Sequence, residues 1–327
     1  MPCVLAAPDK FRGTATAVQV AAAVARAAAA VGWDCDQAPV ADGGEGILDA
    51  LGGTRRHTVV HGPLGDEVDA EWRIRDDEAV IEMARASGLV LAGGAEGNDA
   101  MRASTAGTGE LIAAAVTAGA RRVIVGMGGS ATTDGGLACV TALEPHARMR
   151  GVQLVAACDV TTRFVEAAEV FAPQKGASPA EVALLRRRLE RLAQVYRDDY
   201  GVDVQSIPGS GAAGGLAGGL AAIGASLLPG FDLVADAIDL AERMESADLV
   251  VTGEGYLDDQ SFNGKSVGGV VALAEAAGVP VLVIVGEADP DPPVPAVSLV
   301  EQFGRERAMA ETLVCLEEVV ADHLRSL

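Results

Sequence analysis

The stretch Gly126-Met127-Gly128-Gly129-Ser130-Ala131-Thr132-Thr133-Asp134-Gly135-Gly136 limits what this 327-residue chain can become more than any other. An apolar run, Arg122 to Val125, precedes it and a small-residue helical pattern, Leu137 to Leu143, follows, so the spacing predicts strand, glycine-rich loop and helix. Residues without Cβ let backbone N–H groups close around an anion, and a helix start behind them adds its positive dipole end. The same residues also suit a plain turn that packs strand closely on helix. The loop by itself leaves both readings open.

The strand, loop and helix rhythm recurs on either side. Cys3 to Ala7 predicts a strand, Pro8 to Thr14 a loop, and Ala15 to Val31 an alanine-rich helix with Thr14 or Thr16 as N-cap. Asp36 to Val40 predicts a second strand, Ala41 to Gly46 a polar loop and Ile47 to Leu51 a short helix. Three short runs, His57 to Val60, Val68 to Ile74 and Ala79 to Met83, then read as an antiparallel meander. Helices are expected at Gly109 to Ala118, Pro179 to Tyr200, Gly209 to Leu228, Val234 to Met244, Lys265 to Ala277 and Arg307 to Leu324. Strands are expected at Val152 to Ala157, Leu249 to Thr252 and Val281 to Val285. A chain of this length exceeds the size at which one core usually stops growing. The expected architecture is α/β in two domains: residues 1–57 and 229–327 form one, and 58–228 an inserted mixed α/β domain.

Charge restricts the partners. Lys and Arg number 25 against 46 Asp and Glu, a net −21 spread along the chain, which repels nucleic acid and anionic membrane. Aromatics are 3% of residues, too few for base-stacking surfaces. Five dispersed cysteines without CxxC spacing suit a reducing cytoplasm, and neither a signal-peptide pattern nor a membrane-length apolar run is present. The expected partners are therefore small molecules, bound by a cytoplasmic monomer or homodimer. An anionic substrate would need local cations against the global field, and Lys10, Arg12, Lys175 and Lys265 stand in or beside glycine-rich loops.

Those loops also carry carboxylates: Asp9, Asp42, Glu45, Asp134, Asp159, Glu254 and Asp258. Any one is a common turn former. Seven at corresponding loop ends, together with the cations, supply what phosphoryl transfer requires: acids to hold Mg²⁺ and orient a hydroxyl, bases and N–H donors for phosphates. Gly209-Ser210-Gly211-Ala212-Ala213-Gly214 satisfies GxGxxG but follows a weak strand signal, and supports either phosphate contact or close helix packing. Gly264-Lys265-Ser266 resembles the end of a P-loop, although Asp259 stands where the Walker pattern needs glycine. The four histidines lie outside the loops and show no metal spacing.

Taken together the loops resemble the type I glycerate kinase family. The matching stretches are Ala7 to Gly13, Ala41 to Gly46, Ala86 to Leu89, Gly107 to Leu111, Gly128 to Gly136, Cys158 to Val160, Pro173 to Ala177, Gly211 to Gly215, and Thr252 through Asp258 to Lys265. The resemblance implies a Rossmann-like parallel-sheet domain built from both chain ends, an inserted domain, and an active site in the cleft between them. It also implies phosphorylation of D-glycerate by ATP with Mg²⁺, 2-phosphoglycerate being the usual product. Chemistry then distributes roles. Asp9, Lys10, Asp42 and Asp134 are the catalytic candidates, with Asp42, Asp134 and Asp258 for metal. Arg12, Gly43, Gly44, Glu45, Asp159 and Lys265 are expected on the substrate. Gly128, Gly129, Ser130, Ala131, Thr132, Lys175, Gly211, Gly214 and Glu254 are expected on the nucleotide. The chain departs from the usual family pattern at Gly97, Thr133 and Thr162-Arg163, and is shorter between Leu143 and Val152, which bears on the acid accepted. Two other readings stand beside the kinase: an NAD-dependent oxidoreductase of a small hydroxy acid, resting on Gly209 to Gly214, and a non-catalytic acidic-metabolite sensor.

Overall fold

The first helix, Ala17–Ala30, starts where Thr16 and Gln19 form a capping box: Gln19 N–H donates to Thr16 Oγ1 at 3.2 Å and Thr16 N–H to Gln19 Oε1 at 2.9 Å. It follows the strand Cys3–Ala6, whose neighbours Val4 and Leu5 bury opposite faces, one toward this helix and the other toward Phe231 and Val270. Burial on both faces is the mark of a parallel sheet covered by helices. In the computed structural model, which describes residues 1–257, 266–290 and 292–327, the chain divides into two compact units.

The first unit comprises Met1–Asp42, Asp49–Leu51 and Gly230–Leu327. Its sheet has five parallel strands in the order Val297–Ser298, Val281–Val285, Leu249–Thr252, Cys3–Ala6, Asp34–Gln37. The last of these lies two residues earlier than its apolar pattern suggests. Its register is set by backbone pairing, Cys3 to Asp34 and Ala6 to Gln37, and an edge strand tolerates the half-exposed acids this brings in. The expected helix Val234 to Met244 is two helices, Gly230–Ala237 and Leu240–Met244, broken where Asp239 adopts φ 53°. The closing helix likewise divides into Arg305–Ala310 and Thr312–Ser326.

The second unit comprises Gly43–Leu48 and Gly52–Pro229. Thr54–His61, Glu67–Arg75 and Glu78–Glu82 form the antiparallel meander, and Arg122–Gly126, Gln153–Ala157 and Ser226–Leu228 extend it as parallel strands. Leu111, Ile112, Leu216 and Leu220 close its core on Ile81, Val123, Val125 and Leu154. Pro179–Tyr200 is the helix its charge pattern predicts, with a capping box from Ser178 and Glu181. The continuous helix expected over Gly209 to Leu228 does not form. Ala213, Gly214 and Gly215 all take positive φ, so the helix occupies only Leu216–Ala222, and Ser226–Leu228 joins the sheet. No helix among the described residues is long and apolar enough to cross a membrane.

Candidate active site

In the first unit, strands added after Cys3–Ala6 go to both sides of it, which makes Cys3–Ala6 and Leu249–Thr252 a topological switch point. Loops leaving the carboxyl ends of two such strands diverge and leave a crevice, where open parallel sheets bind ligands. Asp9 N–H donates to Gly253 O at 2.9 Å, and Thr252 Oγ1–H to Ala7 O at 2.8 Å, so the two loops run side by side at their roots. Only glycine fits at 253, where a Cβ would stand 1.6 Å from Ile284 O. A Cβ on Gly255 would meet Arg12 N at 2.9 Å, which puts the Arg12 backbone against the Glu254 turn while the Arg12 side chain is exposed.

Three charges meet there. Lys10 Nζ lies 3.5 Å from Asp9 Oδ1 and 3.6 Å from Asp42 Oδ1. Asp9 is 6% exposed; its Oδ1 accepts Lys10 N–H at 2.6 Å and its Oδ2 accepts Ser266 Oγ–H at 2.8 Å. Burial pushes the Asp9 carboxyl above its ordinary range and outweighs the pull of the Lys10 ammonium, with the Asp42 charge adding to the rise. Asp42 is the more open of the two acids, its side chain 27% exposed against 8% for Asp9.

In the second unit the Gly43 to Gly46 turn lies on the glycine loop. Met127 N–H donates to Gly43 O at 3.0 Å, and a Cβ on Gly128 would come within 2.6 Å of Gly44 Cα. The short helix behind it, Ile47–Leu51, is held through its first turn. Buried Glu82 accepts Gly46 N–H at 2.8 Å, and Arg73 Nη1 donates to Leu48 O at 2.8 Å. The carboxylate takes the free N–H groups of Gly46 and Leu48 at the helix start, and the guanidinium adds a second donor to Leu48 O, which already accepts Gly52 N–H at 3.1 Å. Arg85 Nε donates to the second Glu82 oxygen at 3.0 Å. Glu45 is exposed on this turn.

The loop after Arg122–Gly126 is a layered network. Ala131 N–H donates to Ser87 O and Leu89 N–H to Gly129 O, so the Ala86 to Leu89 stretch pairs with it. Lys175, expected on the nucleotide, is 3% exposed and turned inward: Nζ donates to Thr132 O at 2.5 Å and to Ser130 Oγ at 3.4 Å. Burial lowers its pKa to about 7, while the Asp134 charge pulls the other way. Asp134 braces the far end of the loop. Its Oδ2 accepts Thr105 N–H at 2.9 Å and Thr105 Oγ1–H at 2.7 Å, and its Oδ1 accepts Gly136 N–H at 3.0 Å. Desolvation raises its pKa despite those donors. Gly211 and Gly214 serve backbone packing, since a Cβ would stand 2.4 Å from Arg163 O on the first and 1.9 Å from Thr132 O on the second. The segment before them is a 3₁₀ turn, Val204–Ser206, not a strand, so the GxGxxG pattern lacks the context of a dinucleotide fingerprint. Asp159 is half-buried just beyond the Gln153–Ala157 strand.

Asp9, Lys10 and Asp42 are thus brought together in one unit, and Gly43, Gly44 and the Gly128 to Thr132 loop in the other. Asp258 and Lys265 lie outside the described residues. Glu82, Thr105, Asn98 and Ser266 were not singled out as site residues, although they hold the site's acids and turns. For Ser266 a signal existed in Gly264-Lys265-Ser266; the others sit in strands, caps and turns with no local sequence mark.

The model of the glycerate kinase family matches residues 4–146 and 144–323 of this chain. A glycerate kinase of Halalkalibacterium halodurans is 40% identical over 326 residues, taking in 88% of this chain and 86% of that protein. The glycerate 2-kinase of Escherichia coli K12 is 38% identical over 341 residues, covering 92% and 88%. A crystal structure from Salmonella typhimurium LT2, provisionally assigned as glycerate kinase 2, superposes with a TM-score of 0.83 at 32% identity over 99% of each chain.

Proposed function

This chain belongs to the glycerate kinase family, and we propose that it moves the γ-phosphoryl group of ATP onto a hydroxyl of D-glycerate, with 2-phosphoglycerate as product. It is a kinase with an alcohol acceptor, which removes the oxidoreductase and sensor readings. The observation that carries the assignment of roles is the Asp9, Lys10 and Asp42 cluster at the switch point of the parallel sheet. Asp9 is the base toward the acceptor hydroxyl. A carboxylate whose pKa is raised toward working pH accepts a proton better than an ordinary one, and Lys10 N–H and Ser266 fix its orientation. Lys10 supplies the cation for the glycerate carboxylate or the arriving phosphoryl group, and Arg12 a second one from the same loop. The Gly128 to Thr132 turn receives the nucleotide phosphates, with Gly43 and Gly44 fixing its shape.

Magnesium bound with nucleotide phosphates needs only one or two protein carboxylates. Among the described residues no three His, Cys, Asp or Glu side chains form a cage. Asp134 does not fit a metal ligand, because three N–H and O–H donors already occupy its oxygens. Asp42, the more open acid, fits and would hold the ion, which when bound neutralises charge on the phosphates.

A coupled ADP-release assay across small hydroxy acids, with ³¹P and ¹³C NMR of the product, tests the reading. Turnover with D-glycerate and phosphate on carbon 2 is the expected result. Activity confined to a different hydroxy acid would refute the substrate, and phosphate on carbon 3 the regiochemistry.

A further inference from the structure

Resting on the kinase reading above, we propose that Lys175 and Asn98 act as a pair of positioning residues for the Ser130 to Thr133 turn rather than as nucleotide ligands. Two consecutive carbonyls of this turn are each taken by a side-chain donor from a different segment. Asn98 Nδ2 donates to Ala131 O at 3.0 Å, and Lys175 Nζ donates to Thr132 O at 2.5 Å. Asn98 Nδ2 also donates to Lys175 O at 2.8 Å, which ties the two donors into one unit. The backbone that carries the lysine is itself held in place. Gly176, at φ +92°, sits where a Cβ would be 2.2 Å from Ala95 O, so the Pro173 to Gly176 turn is seated against the backbone of residue 95. The residue is 3% exposed, and two of the Nζ donors already go to Thr132 O and Ser130 Oγ, so the side chain is turned into the protein.

The consequence follows from peptide geometry. In a planar trans peptide the C=O and the next N–H point in opposite directions. Anchoring Thr132 O inward on Lys175 therefore directs Thr133 N–H away from the lysine. A turn that receives an anion through its backbone must turn its carbonyls elsewhere and satisfy them. Lys175 does both for the Thr132–Thr133 peptide, while Asn98 satisfies Ala131 O in the peptide before it, whose Thr132 N–H folds back on Ser130 Oγ at 3.0 Å and closes the turn. Sequence alone marked Lys175 as a cation near glycines; its function is to act through Thr132.

The test uses the full-length enzyme with Lys175→Met and Asn98→Leu, singly and together. Both single variants should raise the KM for ATP by at least about tenfold, as misplacement of positioned groups does, with the KM for glycerate changed less than about twofold. The double variant should be little worse than the poorer single, because the two side chains hold one turn. A variant that merely folds badly would lose kcat with both KM values unchanged, and that outcome overturns the proposal. A direct phosphate contact by Lys175 would appear as a large ATP effect in Lys175→Met alone, with Asn98→Leu normal, and overturns it equally. Hydrogen exchange of the amides of residues 128–133 gives a readout independent of turnover: both variants should exchange faster there than wild type. Unchanged exchange refutes the positioning role even if the wild-type enzyme proves to act on another substrate.

Discussion

Replacing Asp9 by Asn separates what this acid does for the reaction from what it does for the fold. The amide is isosteric and can keep both contacts: its oxygen accepts Lys10 N–H, and its NH₂ donates to Ser266 Oγ, whose hydroxyl can turn to accept. Each retained bond weakens by about 1 kcal/mol when a charged partner becomes neutral. Against that stands the burial of the charge, the largest influence on Asp9, which exceeds the attractions of Lys10 and the hydrogen bonds because the net displacement of its pKa is upward. A raised folded pKa means the acid favours folding only while protonated, so its contribution is lost as pH rises through the folded value. At pH 8 the Asn variant should therefore be as stable as wild type within about 1 kcal/mol, or more stable. It should also lack the part of the wild-type stability decline above the ordinary carboxylate range. Turnover should behave oppositely: loss of a general base lowers it by about 10²- to 10⁴-fold, or about 2.7 to 5.4 kcal/mol of barrier. Denaturant unfolding across a pH series and ADP release on the same samples read both quantities. An Asn variant clearly less stable than wild type at pH 8, or one with near-normal turnover, would refute this account of Asp9.

Gly214→Ala places a Cβ 1.9 Å from Thr132 O at a left-handed φ of +67°. Strain and overpacking together should destabilise by about 2–5 kcal/mol, which calorimetry would show as a fall of several degrees in the second unit's Tm. Glu82→Ala strips the carboxylate from Gly46 N–H and from Arg85, and should cost about 2–4 kcal/mol in urea unfolding, with a weaker reaction because the Gly43 to Gly46 turn loosens. Lys175, its pKa lowered to about 7, must bury a charge below that pH; the unfolded chain keeps its proton up to the ordinary lysine range, so stability linked to this group rises with pH from about 7 upward. Subtracting the stability–pH curve of Lys175→Met from that of wild type should expose that slope, and a flat difference would contradict the burial.

Much of the frame was legible in the chain because it follows from local rules. The capping boxes of Thr16 and Ser178, the apolar strands Leu249–Thr252 and Val281–Val285, and the meander are set by neighbours a few residues apart. The long helix expected over residues 209–228 misled because alanine and glycine fit a helix locally. The positive φ at Ala213, Gly214 and Gly215 is imposed by the backbone of Thr132 to Gly135, eighty residues earlier, and no local pattern records it.

Residue type and order by themselves determined the family, the rhythm of glycine loops at strand ends, and the presence of acids and cations in those loops. Only the tertiary structure decided which of them remain open for chemistry and which are held inside. Asp134 and Lys175 are the same residue types as Asp42 and Lys10, yet donors and carbonyls from distant segments enclose the first pair, while the second stays at the switch point of a sheet. Desolvation depends on what packs around a group, and packing joins residues whose separation along the chain carries no trace of it.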